Sequence, residues 1–109
     1  MTVSSTAARH MELLGHTGAV RALAAVGDGW VASGGFDRTV RLWEAASGEA
    51  GRVLDGHGGA VSALAALPAG LLAVGCDDGA VWIWRWATGV QLSTGLRRLL
   101  PPIAIAHRA

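Results

Sequence analysis

The sequence contains the same pattern twice in succession, and this repeat constrains the fold more than any other feature. The segment 15–26, GHTGAVRALAAV, aligns with 56–67, GHGGAVSALAAL. Over the longer alignment of 13–48 with 54–89, half of the positions are identical. Two copies of one structural unit are therefore expected, because repeats of about 40 residues are typical of arrays in which each unit packs on its neighbour.

Each unit consists of short apolar runs separated by Gly, Asp and Ser, which is the pattern of antiparallel strands joined by turns. We predict strands at 19–26, 30–33, 40–43 and 52–54, and a last strand of the second unit at 90–94. The Ala and Leu content of 19–26 favours a helix by propensity alone. The repeat favours a strand instead, since small residues suit an inner strand where neighbouring sheets converge.

Four motifs carry a resemblance to a known family. They are Gly15-His16, VASGGFDRTVRLWE at 31–44, Gly56-His57 and LAVGCDDGAVWIWR at 72–85. A repeat of this length, with Gly-His near its start and a strand-ending Trp near its end, resembles the WD40 repeat of β-propellers. The family usually has Asp after that Trp, whereas this sequence has Glu44 and Arg85.

The resemblance implies an all-β fold with two antiparallel four-stranded WD40 propeller blades plus an extra leading outer strand at His10 to Leu14. This is an incomplete propeller, because closed propellers have about 4 to 8 blades. The expected organisation is a flexible N-terminus at 1–9, the leading strand and first repeat at 10–54, the second repeat at 55–95, and an irregular tail at 96–109.

Composition narrows the possible functions. The formal charge is +1, and the nine basic residues are scattered arginines, so nucleic-acid binding is not expected. The single cysteine, Cys76, cannot form an internal disulfide, and the first ten residues lack the apolar core of a signal peptide. A cytoplasmic location is the default expectation, and no apolar run reaches the ~18 to 20 residues of a membrane helix.

Three residues of the first unit, His16, Ser33 and Asp37, are the residue types of a hydrolase triad. The resemblance implies a different role for them, in a structural tetrad with Trp43 that ties the loop before the inner strand to the next two strands. Four buried polar groups can satisfy one another in this way without water.

The second unit supplies His57, Asp78 and Trp84 for the same tetrad, but it has Val74 where the first unit has Ser33. Loss of the hydroxyl would abolish a nucleophile, whereas a structural network can close through His57 and Asp78 alone. The two histidines are not expected to share a metal ion, because the repeat places them in successive blades. No cofactor is expected.

The stretch VWIWRW at 81–86 places three indoles on one face of a strand. Trp84 matches Trp43, whereas Trp82 and Trp86 are additional. These two side chains either fill the seam between blades or form an apolar interface on the open face of the last blade. A stacking platform for bases or sugars is a third reading, which the absence of a basic groove disfavours.

By resemblance, the expected function is a non-enzymatic protein-protein interaction scaffold, either a fragment of a larger propeller or a unit of an assembled one. Its partner is expected to be a protein or peptide, with self-assembly into a ring or docking on other propeller blades as alternatives. Exposed loop residues Arg21, Arg38 and Asp77 are candidates for binding. The alternatives are a hydrolase that uses the three residues named above, or a nonfunctional truncated product.

Overall fold

The computed structural model describes residues 11–93, which form two antiparallel β-sheets. The strands are β1 (Val20–Gly27), β2 (Trp30–Gly35), β3 (Val40–Glu44), β4 (Ala50–Leu54), β5 (Val61–Leu67), β6 (Leu71–Cys76), β7 (Val81–Arg85) and β8 (Val90–Ser93). Each sheet has four strands in chain order, and a 3₁₀ turn at Pro68–Gly70 joins β5 to β6. The predicted all-β fold is confirmed. Within 11–93, no helix is long and apolar enough to cross a membrane.

The two sheets are equivalent at the level of single residues. Leu23 pairs with Ser33 in the first sheet, and their counterparts in the second repeat, Leu64 and Val74, pair in the second sheet. The irregularity in pairing that follows Val20 also recurs at the same place in β5. The sequence repeat is therefore a repeat of backbone register as well as of composition.

The innermost strands form as predicted, although their composition favours a helix. β1 pairs along its length with β2, and β5 pairs with β6 in the same way. Pairing in a sheet that buries one face outweighs a propensity difference of a few tenths of a kcal/mol per residue. The predicted strand at 90–94 is observed as Val90–Ser93, and position 94 lies outside the described residues.

The predicted leading strand at His10 to Leu14 is wrong for the residues that the structure describes. Residues 11–14 have no strand pairing, and His10 lies outside the described range. A strand needs a partner, and no sheet precedes β1 in the described chain. These residues instead pack beside the β3–β4 turn, where a Cβ built on Gly48 would overlap Met11 Sδ and lie 3.2 Å from Leu13 Cδ2.

The core lies between the two sheets, since each sheet turns one face toward the other. Eleven side chains form this core, and they come from both sheets: Val26, Ala32, Val40, Leu42, Leu54, Val61, Leu72, Val74, Cys76, Trp84 and Trp86. The other face of each sheet is open, and it exposes Leu23 (68%) from the first sheet and Val81 (50%) from the second. The described chain is thus two stacked sheets without ring closure.

Candidate functional site

A continuous hydrogen-bonded network connects the four tetrad residues of the first sheet. Trp43 Nε1 donates to Ser33 Oγ over 2.8 Å, and Ser33 Oγ lies 2.7 Å from His16 Nε2. His16 Nδ1 lies 2.9 Å from the nearer carboxylate oxygen of Asp37. Because the indole can only donate, a neutral imidazole protonated on Nδ1 lets every group in the chain find a partner.

The carboxylate of Asp37 closes this network at the β2–β3 turn. It accepts hydrogen bonds from the backbone N–H of Thr17 at 3.0 Å and from Thr39 Oγ1 at 2.9 Å. Burial by itself would raise the pKa of Asp37, but the hydrogen bonds from His16, Thr17 and Thr39 outweigh burial and lower the pKa from 3.8 to about 2. The contribution of Thr39 was not predicted from the sequence, because its counterpart in the second repeat is Ala80.

The connectivity of Ser33, His16 and Asp37 is that of a hydrolase triad, but its environment differs. Ser33 is only 4% exposed, and its oxygen already accepts the indole N–H of Trp43. The side chains of His16 and Asp37 are 6% and 7% exposed. An ester or peptide therefore has no open surface from which to reach the Ser33 hydroxyl. The hydrogen-bonded network instead ties the loop before β1 to β2 and β3.

The second sheet closes its network differently from the expectation. His57 Nε2 accepts directly from Trp84 Nε1 at 3.1 Å, so the imidazole takes the place of the absent hydroxyl. His57 Nδ1 donates to the carbonyl oxygen of Arg38 at 2.9 Å and not to Asp78. Asp78 is exposed, and its Oδ1 accepts from the backbone N–H of Ala80. The predicted pairing of His57 with Asp78 is thus replaced by a bond that joins the two sheets.

The cause of this replacement is the neighbouring sheet. Arg38 lies in the β2–β3 turn with φ of +67°, and its carbonyl reaches the second sheet. His57 is buried, and burial lowers its pKa below the ordinary 6.5, more than the bond to Arg38 and the nearby carboxylates of Asp55 and Asp78 raise it. His57 is consequently a neutral group whose two ring nitrogens are both satisfied.

The two additional tryptophans lie on the side of the second sheet that faces the first sheet. Trp86 is buried, and its ring centroid lies 6.3 Å from that of Trp30 in β2. Trp82 stacks on Trp84 at 5.9 Å and lies edge-on to His57 at 4.7 Å. They fill the seam between the sheets, so they do not form an apolar interface on the open face of the second sheet.

A cleft of about 380 Å³ remains in this seam, at the end opposite the tetrads. Its lining comes from both sheets: Asp28, Trp30, Leu42, Arg52, Trp86 and Ala87. Among residues 11–93, no group of three or more His, Cys, Asp or Glu side chains could hold a metal ion.

The residues predicted to bind partners lie at the tetrad end of the sheets, Arg38 and Asp77 in turns but Arg21 within β1 and not in a loop. Arg21 Nη1 bonds Asp77 Oδ2 at 2.9 Å and so links the first sheet to the second. Arg21 also lies over the ring of Phe36, 4.9 Å from its centroid. We call Arg21, Phe36, Arg38 and Asp77 the rim patch; all four are exposed, and Phe36 is 56% exposed.

Sequence reasoning missed Phe36 in this patch. Its counterpart in the second repeat is Asp77, so the repeat gave no pattern for an aromatic residue there. The signal available was an isolated Phe within a polar turn, GGFDRT, where an apolar side chain has little to pack against.

Stacked, repeated four-stranded antiparallel sheets, each ordered from an inner to an outer strand, define the β-propeller class of protein. The sequence pattern of the family described as "WD domain, G-beta repeat" matches residues 8–44 and 48–85. The chain belongs to the WD40 repeat family. No curated protein sequence matches it.

Among the solved structures similar to this chain are two computationally designed proteins and one WD40 propeller domain. The computationally designed Ika8 protein is 35% identical with a TM-score of 0.67, over 75% of this chain and 25% of that one. The designed Ika4 protein is 34% identical with a TM-score of 0.68, over 79% and 54% of the two chains. The WD40 β-propeller domain of Doa1 is 30% identical with a TM-score of 0.68, over 72% and 27%. This chain therefore spans between a quarter and about half of their length.

Proposed function

We propose that this chain is a non-enzymatic, cytoplasmic protein-protein interaction scaffold that works as two blades of a larger propeller. One observation carries the proposal: both outer sheet faces expose apolar side chains, including Leu23 and Val81, at positions where a propeller blade packs on its neighbour. Membership of the WD40 family supports the scaffold role, because such propellers commonly act as rigid platforms for proteins and peptides.

The rim patch is the surface that we propose for a protein or peptide partner. It combines an exposed aromatic ring with two arginine side chains, and aromatic residues and arginine are both enriched at protein interfaces. The tetrads hold the loops that carry it, since Asp37 bonds the turn that contains Phe36 and Arg38. A partner would therefore bind a preformed surface. The scaffold would lose little conformational entropy on binding.

Photo-crosslinking from the rim patch tests this role. A photoreactive benzoylphenylalanine replaces Phe36 in the full chain, and the matched control carries it at Ala46, an exposed position in the β3–β4 turn at the other end of the sheet. We expect discrete protein adducts from position 36 that Arg21→Ala removes, and few from position 46. Identical adducts from both positions, or none from position 36, would contradict the proposal.

The same preparations test the enzymatic alternative. Because Ser33 is buried and accepts a hydrogen bond from Trp43, Ser33→Ala should leave any background ester hydrolysis unchanged. Loss of a measurable hydrolytic activity in a folded Ser33→Ala chain would favour a hydrolase over a scaffold.

A further inference from the structure

The two sheets leave two open apolar faces, one at each end of the stack. The leading face is the outward side of the first sheet and contains Val20, Leu23, Ala25, Val31 and Val53. The trailing face is the outward side of the second sheet and contains Ala63, Ala65, Leu67, Val81 and Ile83. An apolar side chain left exposed there lacks the stabilisation that burial would give it.

The repeat relates these faces to the interface that already exists within the chain. At that interface Val61 Cβ lies 3.0 Å from a Cβ built on Gly34, and Leu64 Cδ1 lies 3.6 Å from the same point. The counterparts of Val61 and Leu64 in the first repeat are Val20 and Leu23 of the leading face. The counterpart of Gly34 is Gly75 of the second sheet. Each open face thus repeats one half of the internal interface.

We propose that the trailing face of one copy of this chain binds the leading face of a second copy, in the arrangement that the two sheets have within one chain. Val20 of one copy then lies at Gly75 of the other, as Val61 lies at Gly34. This inference rests on the proposed role as two blades of a larger propeller, and it identifies the neighbouring blades as those of a second copy.

The backbone around Gly75 supports this fit. Gly75 pairs with Val81 as Gly34 pairs with Val40, so the receiving surface has the same register in both sheets. A Cβ built on Gly75 would meet only Ala63, at 3.6 Å, which is an ordinary contact. The place that Val61 fills at the internal interface is therefore open on the trailing face.

Three internal contacts have no counterpart at the proposed interface. Ala45 stands where the second sheet has Trp86, and the salt bridge between Arg21 and Asp77 has no charged equivalent. The hydrogen bond that His57 makes to the first sheet is also missing, because its counterpart His16 bonds Asp37. Apolar contact, ion pairing and hydrogen bonding are therefore reduced between copies. The assembly should be weaker than the internal stacking, and it should dissociate on dilution.

The outer edge requires a rearrangement. Met11 lies beside Gly48 as Arg52 lies beside Gly89. Ser93 is the counterpart of Arg52 in the second repeat, so the backbone of β8 in one copy would approach Gly48 of the other, where Met11 lies. Residues 11–13 consequently move away from Gly48 when a second copy binds.

A contact between two different faces is heterologous, so it continues until a ring closes. Because propellers have about 4 to 8 blades and each copy supplies two, closure requires two to four copies. At high concentration, the solution mass of the full chain should therefore be two to four times the mass of one copy.

Complementary face variants test the proposal with a mixing experiment. Leu23→Glu blocks the leading face and leaves the trailing face intact, whereas Val81→Glu does the opposite. Both positions are exposed in the single chain, so both variants should fold. Light scattering after size exclusion should give a multimer for the parent, a monomer for each variant alone, and a 1:1 dimer for their mixture.

Several results would overturn the proposal. One is a parent chain that is monomeric at about 100 µM, whether folded or unfolded. Another is a variant that keeps the parent mass. A third is a pair of folded variants that do not associate when mixed. If position 36 gives no crosslinks while the full chain still has the mass of a multimer, only the proposed binding role of the rim patch fails. The failure of that role and the failure of self-assembly are therefore distinguishable.

Discussion

Replacing Ser33 by Ala should destabilise the chain by about 2 to 4 kcal/mol, because one hydroxyl serves two buried partners. It accepts from Trp43 Nε1 at 2.8 Å and lies 2.7 Å from His16 Nε2. Removing it leaves an indole N–H and a ring nitrogen without a partner. Each orphaned buried group costs about 1 to 3 kcal/mol, and partial movement of the imidazole lowers the sum.

The second sheet indicates how far such movement can go. His57 accepts directly from Trp84 at 3.1 Å, but its other nitrogen bonds a backbone carbonyl instead of a carboxylate. His16 is tied to Asp37 at 2.9 Å, so a shift toward Trp43 would stretch that bond. We therefore expect the loss in Ser33→Ala to be recovered only in part.

Urea denaturation followed by tryptophan fluorescence and circular dichroism, at several protein concentrations, measures the loss. Ser47→Ala, an exposed serine in the β3–β4 turn, is the control and should change the free energy of unfolding by about 0.5 kcal/mol or less. Val74→Ser tests the reasoning from the other side. It adds the missing hydroxyl but removes apolar packing at a fully buried position, so it should destabilise.

Two results would refute this account. One is a Ser33→Ala chain as stable as Ser47→Ala, which would mean that the orphaned groups find other partners at no cost. The other is a stabilising Val74→Ser, which would mean that the hydroxyl is favourable whatever the local geometry.

Further predictions concern protonation, a thiol and a turn. Because the folded pKa of His57 lies below its ordinary 6.5, stability is full above pH 6.5 and falls as the pH drops further, and His57→Gln should flatten this part of a urea-midpoint profile. For Asp37 the folded pKa of about 2 lies below 3.8, so its contribution is lost between those values, and Asp37→Asn should remove that slope. Burial, and then the nearby carboxylates, raise the pKa of Cys76 to about 11. Iodoacetamide should therefore label the folded chain much more slowly than the urea-unfolded chain at pH 8, and equal labelling rates would contradict the burial of this thiol. Arg38→Gly should stabilise by about 1 kcal/mol in thermal unfolding, since φ is +67° there, whereas the matched Gly79→Arg, at φ of +90°, should destabilise.

Much of the fold could be predicted from the sequence because the repeat multiplies a weak local signal. One run such as 19–26 favours a helix by composition, and only its recurrence at 60–67 within equivalent turns indicates a strand. The eight strands follow from that pattern. The leading strand did not, because strand formation requires a partner that local sequence does not report.

The tetrad positions divide in the same way. The residues of the first network could be named from their motif, and the structure brings all four together. In the second, the sequence predicted a bond between His57 and Asp78, whereas the imidazole bonds the carbonyl of Arg38. A partner supplied by a neighbouring backbone leaves no trace in side-chain identity.

The sequence by itself determined the repeat, the strand order and the residue types of each blade, because these depend on periodicity and local turn chemistry. Only the tertiary structure decided which face of each sheet is covered. Trp82 and Trp86 lie between the sheets while Val81 faces outward, and that choice depends on which side the neighbouring blade occupies. The alternation of side chains along a strand defines two faces but does not say which one is buried. Packing against the neighbouring sheet decides that.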